Sequence, residues 1–395
     1  MTHVHIIAGE QSGDALGARL MIALRQTRPE VVFSGIGGPL MEAQGLRSLF
    51  PMRELAVMGL LEVLPRVFRL RRLLQDAVAD VLARRPDVLV TIDSPGFTIR
   101  MLKLLKNSGL KRVHYVAPQV WAWREHRVRA YPGLWDRLLC LLPFEPAFFA
   151  GHGVPAVFVG HPVLESGADT GDAARFRACH GIAPEAKIVI LMPGSRRSEV
   201  GKLLPVFGET LARLAAQFPE LVPVVPVASV VADSVIAATS AWPVRPIVVT
   251  ELHEKHDAFA AADVALTKSG TSTLELALAG VPMAVTYRVN PLTAAIVRRL
   301  IKVKYVAIVN LLAGQKIVPE LLQADSNPAR LAGEVARLLD DPVAAAAQRM
   351  AFRDIAAMLT PEVGLPSEAA ALEVLDVMQG GADRMGVTVT PTRSW

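Results

Sequence analysis

The 395-residue chain contains few of the residues that build disulfide frameworks or metal sites. Its two cysteines, Cys140 and Cys179, are too few for a disulfide framework or a cysteine-rich zinc site, and we expect both to be small buried side chains. The stretch HEKH at 253–256 is one residue shorter than the H-E-x-x-H zinc motif, so we expect it to begin a helix. The other histidines form no metal-ligand spacing. The sequence therefore predicts no metal and no cofactor.

Long apolar runs and targeting signals are also absent. The only stretch near membrane-spanning length, 221–238, contains Pro223, Pro226 and Asp233, and we predict a buried strand followed by a helix. The amino terminus lacks a basic region and a long apolar segment, which indicates no signal peptide and a cytoplasmic protein. Hydrophobic residues nevertheless make up 52% of the chain, and its mean hydropathy is +0.35, more than a typical soluble domain needs. Part of this excess is expected to face lipid or an apolar substrate.

The chain is too long for one ordinary core, and it shows two successive series of short apolar strands and helices. Such strands are typical of parallel sheets that are buried on both faces. We predict an α/β fold with two Rossmann-like domains, residues 1–165 and 173–355, joined by a polar linker. A helix within 356–379 is expected to pack back on the first domain, and 380–395 forms a tail. The cleft between the domains is the expected active site.

Two places in the first half are candidates for ligand chemistry. The first predicted βα turn, residues 9–14, is neither a Walker A loop nor a G-x-G-x-x-G fingerprint, yet ligands often bind at such turns. Asp93 follows a predicted strand, Asp87–Ile92, and a carboxylate at that end of a parallel strand can serve as a general base. The alternative is that Asp93 caps the next helix.

In the second half, the stretch 263–290 predicts a strand, a polar turn, a helix from Thr271 to Ala279 and another strand. Gly270 would permit a tight turn, and the hydroxyls of Ser269 and Thr271 would cap the helix. The start of this helix would attract a phosphate, and Glu275, one turn further on, could accept hydrogen bonds from both hydroxyls of a ribose. The alternative is an ordinary strand–turn–helix unit.

A second anion-binding pattern follows the predicted strand Lys187–Met192. Ser195 and Arg196 come at the start of a predicted helix, and an arginine fork matches phosphate oxygens. Because cations at a helix amino terminus oppose the helix dipole, we expect a negative group to compensate.

Residues 54–74 combine an apolar helical stripe with a cluster of arginines. Residues 53–137 contain 16 Lys and Arg against 8 Asp and Glu, so positive charge is concentrated here, and 288–304 adds five cations without an acid. The stripe is either a core-packed helix or a surface that enters the membrane interface, and the sequence favours neither interpretation. Trp121 and Trp123, in one arginine-flanked loop, either pack in the core or stack on a sugar or an apolar tail.

Taken together, these motifs resemble those of lipid-A-disaccharide synthases, in the right order over almost the whole chain. The matching segments are AGEQSGD at 8–14, ELAVMGLLEVL at 54–64, VTIDSPGF at 90–97, HYVAPQVWAWR at 114–124, LPFE at 142–145, VGHP at 159–162, LMPGSRRSEV at 191–200, KSGTSTLE at 268–275, YRVNPLT at 287–293 and VNLLAG at 309–314. The family's usual IDAPDF is IDSPGF here, so Gly96 replaces a second aspartate, and Asp93 carries more of the expected catalysis.

The resemblance implies the GT-B architecture and a metal-independent, inverting transfer of 2,3-diacylglucosamine from UDP to the 6-hydroxyl of 2,3-diacylglucosamine 1-phosphate (lipid X). The first domain would bind the acceptor lipid and the second the UDP donor. The expected catalytic residues are Asp93 and, as the next candidate, Glu10. The expected donor-binding residues are Ser195, Arg196, Ser269, Gly270, Thr271, Glu275 and Asn310. The expected acceptor- and lipid-binding residues are Ser12, Met58, Leu60, Leu61, Val67, Phe68, Arg69, Trp121 and Trp123.

The partners implied are UDP-2,3-diacylglucosamine, lipid X and the inner-membrane surface, on which the enzyme would be peripheral. No nucleic acid is expected, and the sequence does not decide between a monomer and a homodimer. Two alternatives stay open: another UDP-sugar enzyme of the same fold, such as a 2-epimerase or an N-acetylglucosaminyl transferase, and a non-catalytic nucleotide-sugar or lipid-binding protein.

Overall fold

The computed structural model describes residues 2–55, 67–290 and 303–380. The chain folds into two compact units: one comprises Met1–Pro162 and Leu359–Trp395, and the other comprises Val163–Met358. Each unit contains a parallel six-stranded sheet with flanking helices. The predicted α/β class with two Rossmann-like sheets is confirmed.

Strands and helices alternate along most of the described chain, and three helices follow the last strand. The strands are β1 (His3–Ala8), β2 (Val32–Ile36), β3 (Val88–Ile92), β4 (Arg112–Tyr115), β5 (Arg137–Cys140), β6 (Ala156–Phe158), β7 (Ile188–Met192), β8 (Val222–Pro226), β9 (Ile247–Val249), β10 (Val264–Lys268), β11 (Met283–Tyr287) and β12 (Glu320–Leu322). The helices are α1 (Gln11–Thr27), α2 (Pro39–Ala43), α3 (Val67–Arg84), α4 (Pro95–Leu104), α5 (Val120–Trp123), α6 (Glu145–Ala150), α7 (Ala173–His180), α8 (Arg197–Gln217), α9 (Ser229–Thr239), α10 (Leu252–Ala261), α11 (Ser272–Leu278), α12 (Ile308–Ala313), α13 (Pro328–Asp340), α14 (Pro342–Leu359) and α15 (Pro366–Gln379).

The first sheet has the order β2-β1-β3-β4-β5-β6 and is covered on both faces. Successive residues of a strand point to opposite faces. Accordingly, Ile6 belongs to one core cluster with side chains of α1 and α15, whereas Ile7 belongs to another with side chains of α3 and α4. Burial on both faces explains why these strands are short, continuous apolar runs.

Helix α15, near the end of the described chain, packs on the first sheet. Its apolar side chains, including Val374, lie in the same core cluster as β1 and β3. Polar contacts fix its position: Arg137 on β5 pairs with Glu373 and, at 3.1 Å, with Asp376. The Lys111 ammonium also donates to a backbone carbonyl at the end of this helix, at 2.7 Å.

The second sheet has the order β12-β11-β10-β7-β8-β9. We did not predict strand β12 from the sequence. It has only three residues and pairs in parallel with β11, Val285 with Glu320, so it is too short to show a period. The prediction for 221–238 is confirmed, since β8 and α9 occupy it. Among the described residues, no helix combines the length and the apolar character that a bilayer crossing requires.

Two further expectations are wrong. Helix α1 begins at Gln11, whereas we expected the preceding turn to extend over residues 9–14. Gly13 lets this first turn approach β1, because a Cβ there would lie 3.3 Å from the Ala8 Cβ. Cys140 is buried as expected, but Cys179, on the short helix α7, is exposed.

Candidate functional site

The two candidate catalytic carboxylates follow neighbouring strands of the first sheet. Strands β1 and β3 pair in parallel, Ala8 opposite Ile92, so the loops after them begin side by side. The loops are in contact: a Cβ on Gly9 would lie 2.3 Å from the Ser94 hydroxyl oxygen, so only glycine fits here. Both Glu10 and Asp93 therefore lie at the carboxyl edge of this sheet, where ligands bind in folds of this class.

The backbone at Asp93 adopts an uncommon conformation. Asp93 and Ser94 both have φ of +47°, in the left-handed region that non-glycine residues rarely adopt and that costs about 1–2 kcal/mol per residue. The Asp93 N–H donates to the Tyr115 carbonyl at 2.9 Å, and the Thr98 hydroxyl donates to the Asp93 carbonyl at 2.8 Å. Ser94, not Asp93, is the N-cap residue of α4, so the capping alternative for Asp93 is wrong.

The surroundings of the Asp93 carboxyl suit proton transfer. Burial raises its pKa above the usual range, and a hydrogen bond from the Ser94 backbone N–H opposes this rise. A carboxylate of raised pKa is a stronger base than an exposed one. Ser12 is exposed in the first turn of α1, at the same edge of the sheet.

A neighbouring carboxylate has a structural role that we did not predict. Asp14 is buried and accepts hydrogen bonds from the backbone N–H groups of Gly38, Leu40 and Met41, at 2.8 to 3.0 Å. These are the unpaired donors at the start of α2. The signal was present in the sequence, since a Gly-Gly-Pro turn that opens a helix needs an acceptor, but the partner lies more than twenty residues away.

The two tryptophans of the 114–124 motif have different environments. Trp121 is partly buried, and its indole N–H donates to Glu145 Oε1 at 3.0 Å. Trp123 is 41% exposed, and the Arg124 guanidinium lies 3.8 Å from its ring centroid. Trp121 is therefore engaged in packing, whereas Trp123 can contact a ligand.

Glu145 is a buried glutamate that we noted only as part of a motif. Besides the Trp121 bond, its second oxygen accepts from the backbone N–H groups of Leu141 and Leu142, at 3.1 and 3.0 Å. Burial outweighs these hydrogen bonds and raises its pKa to about 7.

The predicted lipid-binding stretch is described only in part. Met58, Leu60 and Leu61 lie outside the described residues. Helix α3 begins at Val67, and Phe68 is 85% exposed in its first turn. Arg69 pairs with Glu54 at 2.8 Å. The core-packed alternative is therefore wrong for Phe68.

In the second unit, β7 and β10 are neighbours, so the two predicted anion-binding loops lie side by side. Ser195 and Arg196 are exposed, and Arg196 is the N-cap residue of α8. The carboxylate of Glu199, in the first turn of this helix, lies 3.0 Å from the Lys268 ammonium and 3.7 Å from the Arg196 guanidinium. The negative group that we expected near these cations is thus partly supplied by the chain itself.

The predicted capping of α11 by hydroxyl groups is wrong. Thr271 is the N-cap residue, but it has helical angles and its side chain makes no capping bond, while the Ser269 hydroxyl donates to the Val306 carbonyl at 3.0 Å. The chain tightens here instead, because the Thr273 N–H and hydroxyl both bond to the Gly270 carbonyl. Gly270 has no left-handed φ, so no left-handed turn requires a glycine there.

Two further predicted donor-site residues have partners within the second unit. The Glu275 carboxylate accepts from the Lys255 ammonium at 2.9 and 3.1 Å. Asn310 is fully buried, and its amide bonds to the backbone of Ile317 and Val318 and to Glu320 Oε1. Asn310 therefore holds its own loop, and direct contact with a ligand, which we expected, does not fit this burial.

Comparisons with known proteins find one family model and several named relatives that match most of the chain. A model of the lipid-A-disaccharide synthetase family matches residues 4–374. A lipid-A-disaccharide synthase from Gluconobacter oxydans is 59% identical over 381 residues, which cover 96% of this chain and 92% of that protein. The enzyme of the same name from Granulibacter bethesdensis is 58% identical over 386 residues, 95% of this chain and 98% of that protein.

Solved structures of lower identity show the same fold. A UDP-GlcNAc 2-epimerase from Neisseria meningitidis, bound to UDP-GlcNAc, superposes with a TM-score of 0.63 at 12% identity, over 96% of this chain and all of that one. The calicheamicin glycosyltransferase CalG4 superposes with a TM-score of 0.61 at 16% identity, over 97% and 99% of the two chains. Both likenesses concern the fold alone.

Proposed function

The chain belongs to the lipid-A-disaccharide synthetase family, and from that premise we propose how its residues divide the work of one glycosyl transfer. The reaction condenses UDP-2,3-diacylglucosamine with lipid X, and its products are the lipid A disaccharide 1-phosphate and UDP. The observation that carries this function is the match over residues 4–374, with relatives whose sequences this chain covers almost completely.

Asp93 is the general base of this proposal. An acceptor hydroxyl is a weak nucleophile until a base removes its proton. The Asp93 carboxyl takes that proton, the acceptor oxygen attacks the anomeric carbon of the donor sugar, and the bond from that carbon to UDP breaks with inversion. Its raised pKa and its fixed turn at the end of β3 support this role. Glu10, in the adjoining loop, is the second candidate.

The donor diphosphate belongs, in this proposal, to the paired loops of the second unit. Negative charge develops on the β-phosphate as UDP leaves, and fixed cations and helix starts stabilise it. Arg196 and Lys268 both pair with one acid, Glu199. Arg197, next to Arg196, is exposed and forms no ion pair in the described part of the chain. That positive excess supports a diphosphate site. Glu275 would contact the ribose from one turn inside α11, with Lys255 as its present partner.

The membrane contact belongs to the start of α3. Phe68 is almost fully exposed, and Arg69, Arg71 and Arg72 beside it are exposed too. An aromatic ring flanked by arginines can enter the head-group boundary while the guanidinium groups pair with anionic lipid. We therefore place the enzyme as a peripheral protein on the inner membrane, where its two acylated substrates lie.

The decisive experiment is a thin-layer assay with purified protein, lipid X and UDP-2,3-diacylglucosamine. We expect a disaccharide product and one released UDP for each disaccharide formed. A 2-epimerase or an N-acetylglucosaminyl transferase would instead act on hydrophilic UDP-sugars, so the same assay with UDP-GlcNAc is the control. A protein that binds UDP but releases none from its donor in the presence of lipid X would contradict the proposed function.

A further inference from the structure

The first unit contains a pocket of about 400 Å³ between α4 and residues 118–131. This volume is in the range of small-molecule sites, about 300–1,000 Å³. One part of its lining is apolar: Tyr131 is buried in the wall and Trp123 is partly exposed. The pocket can therefore hold a sugar or the first carbons of an acyl chain against two aromatic rings.

The rest of the lining is basic. Arg100 and Lys103 come from α4, and Arg124 and Arg127 from the opposite wall. No acid lines the pocket, and in the described part of the chain none of these four cations forms an ion pair. Other arginines of the same unit, such as Arg137, do have carboxylate partners. Four unneutralised cations around one concavity create a positive potential that attracts an anion.

The type of anion follows from the side chains. Guanidinium groups match the oxygens of a phosphate by paired hydrogen bonds, and three of the four cations are arginines. Arg124 is also held in place by stacking on the Trp123 ring, which lowers the entropy lost when it binds. The pocket is therefore better suited to a phosphate on an amphipathic molecule than to a free carboxylate or a purely apolar ligand.

The position of the pocket connects it to the proposed base. Pro95 and Gly96 line it, and they follow Asp93 by only two and three residues. At a maximum of about 3.6 Å per residue, the Gly96 Cα lies within about 11 Å of the Asp93 Cα. Gly96 also contributes no side chain, so the wall nearest the base carries no acid that would neutralise the cations.

We propose that this pocket binds the 1-phosphate of the acceptor while the acceptor's hydroxyl lies at Asp93. This rests on the proposed function, because it assigns a subsite to the acceptor of that reaction. The same cations could instead bind the phosphate of an anionic bilayer lipid, and the experiment separates these two sources of phosphate.

The test compares acceptors with and without the phosphate. Kinetics are measured in nonionic micelles with lipid X and with unphosphorylated 2,3-diacylglucosamine, for wild type and for Arg100→Gln combined with Lys103→Gln. Arg129→Gln is the matched control, since Arg129 is an exposed cation within residues 118–131 that does not line the pocket. We expect the double variant to raise KM for lipid X about tenfold or more, the effect of about 1.4 kcal/mol of lost binding. With the unphosphorylated acceptor, wild type and variant should have equal KM.

Several results would overturn this assignment. An unchanged KM for lipid X, or an equal rise with both acceptors, means that the pocket does not bind the 1-phosphate. Reduced sedimentation with phosphatidylglycerol vesicles and an unchanged KM in micelles would assign the cations to bilayer lipid. If wild type makes no disaccharide at all, the proposed function fails separately. In that case, equilibrium binding of lipid X in micelles is compared between wild type and the double variant. Weaker binding by the double variant would support the phosphate site, and equal binding would contradict it.

Discussion

The Lys268 ammonium lies 3.0 Å from Glu199 Oε1, and this ion pair joins the end of β10 to the first turn of α8. Both side chains are less than one-fifth exposed. The other Glu199 oxygen is buried and has no hydrogen-bond partner among the described residues. A Cβ on Gly194 would lie 2.5 Å from that oxygen, and the φ of +114° at Gly194 favours glycine as well. The pair therefore fixes the relative position of the two loops to which we assign the donor diphosphate.

Replacing Lys268 should affect both stability and donor binding. Lys268→Met leaves the Glu199 carboxylate without its cation, which should lower the free energy of unfolding by about 1–3 kcal/mol and weaken UDP binding. Urea unfolding and calorimetry with UDP measure the two effects. Glu199→Gln combined with Lys268→Met should recover part of the stability, with a coupling energy of about 0.5–3 kcal/mol. Additive effects in this cycle would mean that the pair does not hold the loops.

Asp93→Asn should lower kcat by a factor of about one hundred or more, because an amide cannot accept the acceptor's proton. The substitution keeps the size of the side chain and the tolerance of Asn for a left-handed φ, so the fold and the UDP affinity should remain near wild type. Steady-state kinetics and UDP calorimetry check this. Near-normal turnover would remove Asp93 from the role of base, and Glu10→Gln would then be the variant to measure.

Arg196→Ala should weaken UDP binding by about 1–3 kcal/mol, the usual contribution of a charge-assisted hydrogen bond. Calorimetry with UDP is the measurement. Arg213→Ala is the matched control, because Arg213 is an exposed arginine in the last turns of the same helix and should leave the affinity unchanged.

Glu275→Ala should also weaken UDP binding by about 1–3 kcal/mol. Whether this loss comes from the ribose contact can be tested with a UDP analogue. If the carboxylate binds both ribose hydroxyls, the loss should shrink with 2′-deoxy-UDP, which lacks one of them. Lys255→Met removes the ion pair with Glu275 but keeps the Glu275 carboxylate. Its effect on UDP binding therefore separates the ion pair from the ribose contact. Unchanged affinity in both Arg196→Ala and Glu275→Ala would place the nucleotide elsewhere.

Phe68→Ser should reduce co-sedimentation with anionic vesicles and leave the melting temperature and UDP affinity unchanged, because the ring is 85% exposed and supports no core. Val343→Ser is the control, since Val343 is 77% exposed on α14 and has no arginines immediately beside it in the sequence. High salt should release part of the bound wild type by screening the arginines. A loss of stability in Phe68→Ser, or no vesicle binding by wild type, would contradict the membrane surface.

The raised pKa of the buried Glu145 carboxyl predicts that the stability of the fold depends on pH. Its folded pKa of about 7 exceeds the ordinary value of 4.5, so the folded state binds more protons than the unfolded state between these values. Its contribution to stability is therefore greatest at low pH and falls as the pH rises from about 4.5 to about 7. Glu145→Gln loses one acceptor and should be less stable, but its unfolding free energy should lack this fall.

Denaturant unfolding of wild type and Glu145→Gln at several values of pH checks this prediction. The stability difference between them should shrink from about pH 5 to about pH 8. A constant difference across this range would show that Glu145 is ionised throughout, held by the three N–H groups that donate to it.

The sequence by itself determined the two-sheet α/β fold, because strands buried on both faces leave continuous apolar runs and the residues between them show turn and helix signals. It also predicted that Asp93 and the two loops at 193–196 and 268–271 follow strands of parallel sheets, at whose carboxyl ends ligands bind in this fold class. These inferences depend on neighbours along the chain, and local patterns are sufficient for them.

Only the tertiary structure decided which side chains are already engaged. The Ser269 hydroxyl donates to the Val306 carbonyl, and the Trp121 indole N–H donates to Glu145. The Asn310 amide forms hydrogen bonds with the backbone of its own loop. The tertiary structure also pairs Glu199 with Lys268 and places α4 opposite Arg124 and Arg127 in the pocket, although these residues are distant in sequence. Partners of this kind come together by strand order and helix packing, which no local pattern encodes.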